Sequence, residues 1–246
     1  MITRRRLLTG GIASIALSPK CSRCQSSYEG CRIAFDQAEA LLGSEQIWLS
    51  YGSVETGSGD RDFDRALAQT LEFLSDRFFV LPGFAFFNEP GSSNAFASRS
   101  QKLGRSDGSI LFGRKLFREI MSRRELPEIG IVSVCAHEFG HIAQYKYDVY
   151  DRLVGTDGRV KRLELHADFL SGYFAGLRKR QRPDFPAATF ALTQFGFGDY
   201  SDIDHHGTPD ERAAAVVAGY RAAYEGKLKF GYALESGIRY VSQVRM

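Results

Sequence analysis

The residues His137-Glu138-Phe139-Gly140-His141 carry the strongest signal in this chain for both fold and chemistry. Two histidines four positions apart lie on one face of a helix, where their imidazoles can bind a single metal ion. The glutamate between them then lies beside the open coordination position of that ion. The chain has five histidines in 246 residues, so this spacing is rare by chance. The motif predicts a helix that binds one Zn2+ ion.

A third ligand is needed, and three downstream patterns were compared. A histidine six residues after His141 would extend the motif, but Tyr147 stands there. A Gly-Thr-Asp run at 155–157 matches an aspartate-ligand pattern only loosely. The third pattern is a glutamate followed by an aspartate on the same helical face, and Glu164 with Asp168 fits it. Glu164 is therefore the predicted third ligand.

Two neighbours of Glu164 have different predicted roles. Asp168 can accept a hydrogen bond from the far N–H of a ligating histidine and so fix the tautomer of that histidine. His166 lies on nearly the opposite face of the same helix, so we predict a core or surface residue rather than a ligand.

These motifs together carry a resemblance to a known clan of enzymes. Its residues are His137, Glu138, His141, Glu164 and Asp168. They resemble the gluzincin clan of zinc metallopeptidases, and the run from Glu164 through Gly172 is similar to the E-L-x-A-D-x-x-x-G run of the bacterial neutral zinc metallopeptidase family. The resemblance implies a zincin-like α+β fold with a small mixed sheet and two zinc-binding helices. It covers about residues 92–225.

An upstream segment extends the resemblance to a substrate cleft. Asn94, Ala95, Phe96 and Ala97, followed by residues 107–112, resemble the segment before the zinc helix in soluble relatives of the CAAX prenyl-protein endopeptidases. The resemblance implies that this segment is an edge strand over the cleft. An extended polypeptide could then add to it as a further strand.

The segment His206-Gly207-Thr208 resembles an H-G-[ST] element of the neutral zinc family. In related enzymes, a histidine or tyrosine outside the metal shell stabilises the tetrahedral oxyanion. The resemblance therefore implies a catalytic role for His206, with Tyr200 behind it and His205 as the alternative histidine.

The N-terminus predicts export from the cytoplasm. The segment 3–8, Thr-Arg-Arg-Arg-Leu-Leu, fits a twin-arginine signal, and the apolar run that follows is too short to cross a bilayer. Residues 1–18 are the expected signal segment, which could remain as an N-terminal anchor. Residues 19–60 are an expected extension containing Cys21, Cys24 and Cys31, and residues 61–246 the metallopeptidase domain. We therefore expect a periplasmic or otherwise exported protein with no further membrane domain.

Charge and composition exclude some classes of partner. The formal charge is +3, and residues 1–18 contribute three arginines and no acidic residue. The remainder is close to neutral and offers no field for nucleic acid. Cys135 lies two residues before His137 and is predicted to be a small core residue.

Local patterns place the motifs on secondary-structure elements. We predict a helix through Leu67 and Phe78 that is capped by Asp60 or Asp62. A strand at 109–112 precedes a helix at 113–124. The zinc helix follows Pro127, and the second ligand helix covers about 160–180. Thr208 to Glu211 predicts a capping box, whereas residues 227–246 carry no clear signal.

The sequence thus predicts an exported zinc endopeptidase that hydrolyses peptide bonds with zinc-activated water and Glu138 as general base. A polypeptide is the expected partner. The alternative is a non-hydrolytic zinc-binding or peptide-binding module on a peptidase-like fold.

Overall fold

A computed structural model of the chain describes residues 54–89, 92–154, 159–198 and 206–244. Within these ranges it contains eight helices and one three-stranded sheet, which confirms the predicted α+β class. The elements in chain order are α1 (Arg61–Phe78), β1 (Gly83–Phe87), β2 (Ala95–Ser98), β3 (Ser109–Gly113), α2 (Arg114–Met121), α3 (Pro127–Lys146), α4 (Tyr150–Leu153), α5 (Lys161–Gln181), α6 (Ala188–Gly196), α7 (Pro209–Tyr224) and α8 (Phe230–Ser242).

Several sequence predictions concern residues outside the described ranges. They are the twin-arginine segment, the three cysteines Cys21, Cys24 and Cys31, the 155–157 turn, Tyr200 and His205.

The sheet is mixed and has the order β1-β3-β2. β1 and β3 are parallel, whereas β2 is antiparallel to β3 with Ala95 opposite Phe112. β2 therefore forms an edge of the sheet among the described strands. Glu55 forms an antiparallel bridge with Phe86 on the other side of β1.

Helix ends follow the predicted capping signals where a polar side chain is available. The Asp60 side chain accepts from the backbone N–H groups of Asp62 and Phe63 and starts α1. Thr208 and Glu211 form the reciprocal capping box of α7, with Pro209 in the first turn. α6 and α8 were not predicted, and neither has a side-chain hydrogen bond at its N-terminus.

α3 and α5 form the centre of the fold. Both are buried along most of their length, from Gly130 to Gln144 and from Leu163 to Gly176. They pack closely at Gly140, where an added Cβ would lie 3.0 Å from the Cα of Ala167. Gly140 lies between His137 and His141 on α3, and Ala167 lies between Glu164 and Asp168 on α5. The two helices thus contact each other between the paired residues of each motif. This approach brings Glu164 of α5 next to the histidines of α3.

α5 also packs against α7 with backbone touching backbone. A Cβ added at Gly172 would lie 1.9 Å from the carbonyl oxygen of Val216, and one at Gly219 would lie 1.8 Å from that of Phe169. Such distances leave no room for a side chain. The two glycines therefore determine how closely α7 approaches the ligand helix.

Replacing Gly172 by alanine is expected to destabilise the fold by about 1–3 kcal/mol, because the new methyl group forces α5 and α7 apart. The measurement is the free energy of unfolding in urea. Gly231 is the matched control, since it is an exposed helical glycine with no atom within 4 Å of an added Cβ. Gly231→Ala should be neutral or stabilise by up to about 1 kcal/mol. Equal stability of the two variants would contradict the close packing of α5 and α7.

Among the described residues, no helix combines the length and apolar character needed to cross a membrane.

Candidate metal centre

Three buried side chains meet where α3 and α5 cross. The Nε2 atoms of His137 and His141 lie 3.0 Å apart. Glu164 places Oε2 3.2 Å from Nε2 of His137 and Oε1 3.5 Å from Nε2 of His141. All three side chains are almost completely buried. The structure thus brings together the three predicted ligands in a group that could hold a metal ion.

The distances in this triangle fit a tetrahedral ion. Ligand atoms about 2.0–2.1 Å from a tetrahedral centre, the range typical of nitrogen and oxygen around zinc, lie about 3.3 Å from one another. The observed separations of 3.0, 3.2 and 3.5 Å lie near this value, although each histidine is nearest to a different oxygen of Glu164. One atom from each of the three side chains lies within 4.8 Å of the others, which is close enough for a shared ion.

Each of the two histidines uses Nδ1 in a hydrogen bond, which leaves its Nε2 atom directed at the other predicted ligands. His137 Nδ1 lies 2.8 Å from Oδ1 of Asp168, and His141 Nδ1 lies 3.0 Å from Oε1 of Gln144. Both partners are acceptors, so each Nδ1 carries a hydrogen. Oε2 of Glu164 is buried and lacks a hydrogen-bond partner. A bound cation would satisfy these converging acceptor atoms.

Asp168 has the predicted position behind His137 and also has a partner that the sequence did not predict. Arg212 of α7 donates Nε–H to Oδ2 and an NH2 group to Oδ1 of Asp168, at 2.8 and 3.0 Å. Arg212 is 2 % exposed. Burial alone would raise the pKa of Asp168, but Arg212 and His137 outweigh it and lower the pKa. Asp168 is therefore held as a carboxylate.

Neighbouring charges also shift the pKa values of the predicted ligands His137 and Glu164. Burial alone would lower the pKa of His137, but Asp168 and Glu164 outweigh it and raise the pKa to about 10. Burial alone would also raise the pKa of Glu164, yet the neighbouring histidines hold it well below its usual range. The pocket thus favours a positive charge between its carboxylates, which a proton or a metal ion can supply.

Glu138 faces a small cavity beside the metal centre. Its Oε2 atom is buried without a hydrogen-bond partner, and burial raises the pKa of its carboxyl group. The centre of a water molecule can occupy about 20 Å³ of this cavity, so the cavity has room for about one water molecule. Its lining also includes Asn94 and Ala95 from the start of β2.

The pairing of the strands shows which backbone groups of β2 are not bonded to β3. Gly113 N–H donates to the carbonyl of Asn94, so the Ala95–Phe112 pair is a non-hydrogen-bonded pair of the ladder. The N–H and C=O groups of Ala95 and Ala97 therefore point away from β3. Ala97 follows this pattern, since its carbonyl accepts a 3.5 Å hydrogen bond from the Tyr145 hydroxyl.

Comparison with known proteins gives no match. No family model, curated protein or solved structure aligns significantly with the chain. The chemistry that this site supports follows from the geometry of its own side chains.

Glu89 fixes the start of the edge strand. Its carboxylate accepts from the backbone N–H groups of Lys115 and Leu116 at 2.8 and 3.0 Å and from that of Asn94 at 3.4 Å. α2 has no capping bond from its own N-cap residue, Gly113, so Glu89 supplies one. An added Cβ at Gly113 would overlap the Glu89 carboxylate. The strand is thus attached to the helix that leads into α3.

His206 lies next to the ligand group but outside it. Its Nδ1 is 3.5 Å from Oε1 of Glu164, without the alignment of a hydrogen bond. Gly207 has a φ of +111°, and an added Cβ there would lie 2.9 Å from the Leu165 side chain. A glycine is therefore needed for His206 to approach α5 so closely.

Gln144 and Arg212 are the site residues that the sequence interpretation missed. Gln144 lies one helical turn after His141 in an apolar stretch, and that position was a usable signal. Arg212 follows the capping box directly, but its burial depends on the crossing of α5 and α7 and has no local signal. His166 and Cys135 are fully buried, as predicted for core residues. Burial lowers the pKa of His166 to about 4, so this side chain is neutral.

Proposed function

We propose that the chain is a zinc-dependent endopeptidase of the gluzincin type. The decisive observation is that Glu138, whose Oε2 lacks a hydrogen-bond partner, lines one cavity together with Ala95 and with His137, which belongs to the group of three predicted ligands. Two imidazoles and a carboxylate form a donor set that suits zinc. Export by the twin-arginine route belongs to the same proposal and is supported by the sequence alone.

Each part of the cavity has a chemical role in this proposal. A bound zinc ion, held by His137, His141 and Glu164, would polarise the substrate carbonyl and make a water molecule more acidic. Glu138 takes a proton from the attacking water and gives it to the leaving amine. An extended substrate is proposed to pair with the Ala95 backbone groups that point away from β3, which requires little sequence specificity.

His206 is proposed to assist the developing oxyanion. Its side chain is 10 % exposed and lies beside Glu164, two residues before the N-cap of α7. A donor at this distance from the ligand group could reach the carbonyl oxygen of a bound peptide. A structural zinc site commonly has four protein ligands, whereas the group among the described residues has three. This difference favours hydrolysis over the non-hydrolytic alternative.

We expect the purified chain to bind about one zinc ion and to cleave reduced, alkylated casein as a model unfolded substrate. Metal content is measured by mass spectrometry, and cleavage by the appearance of new amino termini. Removal of the metal with 1,10-phenanthroline should abolish cleavage, and added zinc should restore it. Zinc binding without cleavage would support the non-hydrolytic alternative. Absence of metal binding would overturn the metal centre itself.

A further inference from the structure

Two backbone carbonyls in the core determine the direction of the hydrogen bonds behind His141. Nε2 of Gln144 lies 2.7 Å from the carbonyl oxygen of Leu163. Nε2 of His166 lies 3.1 Å from the carbonyl oxygen of Leu234, in α8. A carbonyl oxygen can only accept, so both nitrogen atoms must carry a hydrogen.

These two assignments fix the rest of the network. The NH2 group of Gln144 also lies 3.2 Å from Nδ1 of His166, so this Nδ1 accepts. The amide oxygen of Gln144 then faces Nδ1 of His141, at 3.0 Å, and accepts its hydrogen. His141 is left with a lone pair on Nε2, directed at His137 and Glu164. The whole network is buried.

We infer that Gln144 is a positioning residue of the metal centre. Its amide is held by the Leu163 carbonyl and by His166, which in turn donates to the Leu234 carbonyl, and so it sets the tautomer and ring orientation of His141. This inference rests on the proposed metal site and extends it to α8, which supplies no ligand. The two histidines then differ in their partners, because His137 bonds to the Asp168 carboxylate and His141 bonds to the neutral amide of Gln144. Partners of this kind commonly change metal affinity by about 10–100-fold.

The first test replaces Gln144 by methionine, which has similar length but no acceptor for His141. Zinc affinity, measured by competition with a chromogenic chelator, should fall by about 10–100-fold. In the zinc-free chain with 15N-labelled histidine, His141 should change from the Nδ1–H tautomer to a mixture of tautomers. Unchanged affinity with an unchanged His141 tautomer would overturn the inference.

A second variant separates positioning from a general loss of stability. Gln144→Glu keeps an acceptor for His141 but places an oxygen against the Leu163 carbonyl. Its thermal stability should fall, while its zinc affinity stays within about threefold of the original or rises, since a carboxylate makes the ligand more basic. If both Gln144 variants lose affinity in proportion to their loss of stability, the role of Gln144 is merely structural.

Ser171→Ala is the matched control. The Ser171 hydroxyl donates to the Ser133 carbonyl at 3.1 Å and links the same two helices in the core, away from the network. This variant should lose stability yet keep its zinc affinity. The histidine spectrum tests the network without metal, so its outcome is independent of whether the chain hydrolyses peptides. Failure of the original chain to bind zinc would instead count against the proposed function.

Discussion

Replacing Glu138 by glutamine is expected to abolish peptide hydrolysis while leaving zinc binding intact. Glutamine has nearly the same shape but cannot accept a proton from water, and such a general base typically contributes about 10²–10⁴-fold to the rate. Oε2 of Glu138 has no hydrogen-bond partner, so the substitution breaks no bond at this atom. The measurement is kcat on unfolded casein, together with the zinc content of the same preparation.

The control for this variant is Glu128→Gln. Glu128 lies in the first turn of the same helix and is exposed. Its substitution should change kcat by less than about twofold, since it contacts neither the metal ligands nor the cavity. If Glu138→Gln kept full turnover, another group would have to act as the base, and the proposed mechanism would be wrong.

Replacing Arg212 by methionine is expected to reduce both stability and zinc affinity. The change leaves Asp168 as a buried carboxylate whose remaining hydrogen-bond partner is His137. Breaking a buried ion pair on one side costs about 3–5 kcal/mol. Loss of the support behind His137 should also weaken zinc binding by about 10–100-fold. Stability is measured in urea with chelator present, and zinc affinity by competition.

A double variant tests the cause of this loss. In Arg212→Met with Asp168→Asn the unpaired charge is gone, while an amide oxygen still accepts from His137. The double variant should therefore be more stable than Arg212→Met alone. Arg221→Met is the control on the exposed face of α7 and should change stability by less than about 0.5 kcal/mol. Additive losses in the double variant would show that the ion pair does not explain the effect.

The site could be predicted from the sequence wherever its residues share one helix. His137 and His141 are one turn apart on α3, and Glu164 and Asp168 are one turn apart on α5, so helical spacing revealed each pair. The relation between the pairs needed the resemblance to known enzymes. In the structure it depends on the close contact of Gly140 with α5.

Other parts of the fold could not be predicted, because their causes are not local. Arg212 is buried in the packing of α5 against α7, which is close at Gly172 and Gly219, and no local pattern around Arg212 indicates this. Glu89 caps α2 from a distant position in the chain, and no spacing rule relates it to Lys115. The tail helix α8 has no side-chain cap and is held by tertiary packing of its apolar face.

The attachment of β2 to α2 by Glu89 has a consequence for binding entropy. One carboxylate accepts from N–H groups at the start of both elements, so in the proposed peptidase β2 is fixed to α2 by contacts that need no bound polypeptide. A polypeptide bound along β2 would lose its own conformational freedom, while the chain would lose little. Segments that are already extended would therefore bind best, and a folded domain would have to unfold locally to be cleaved.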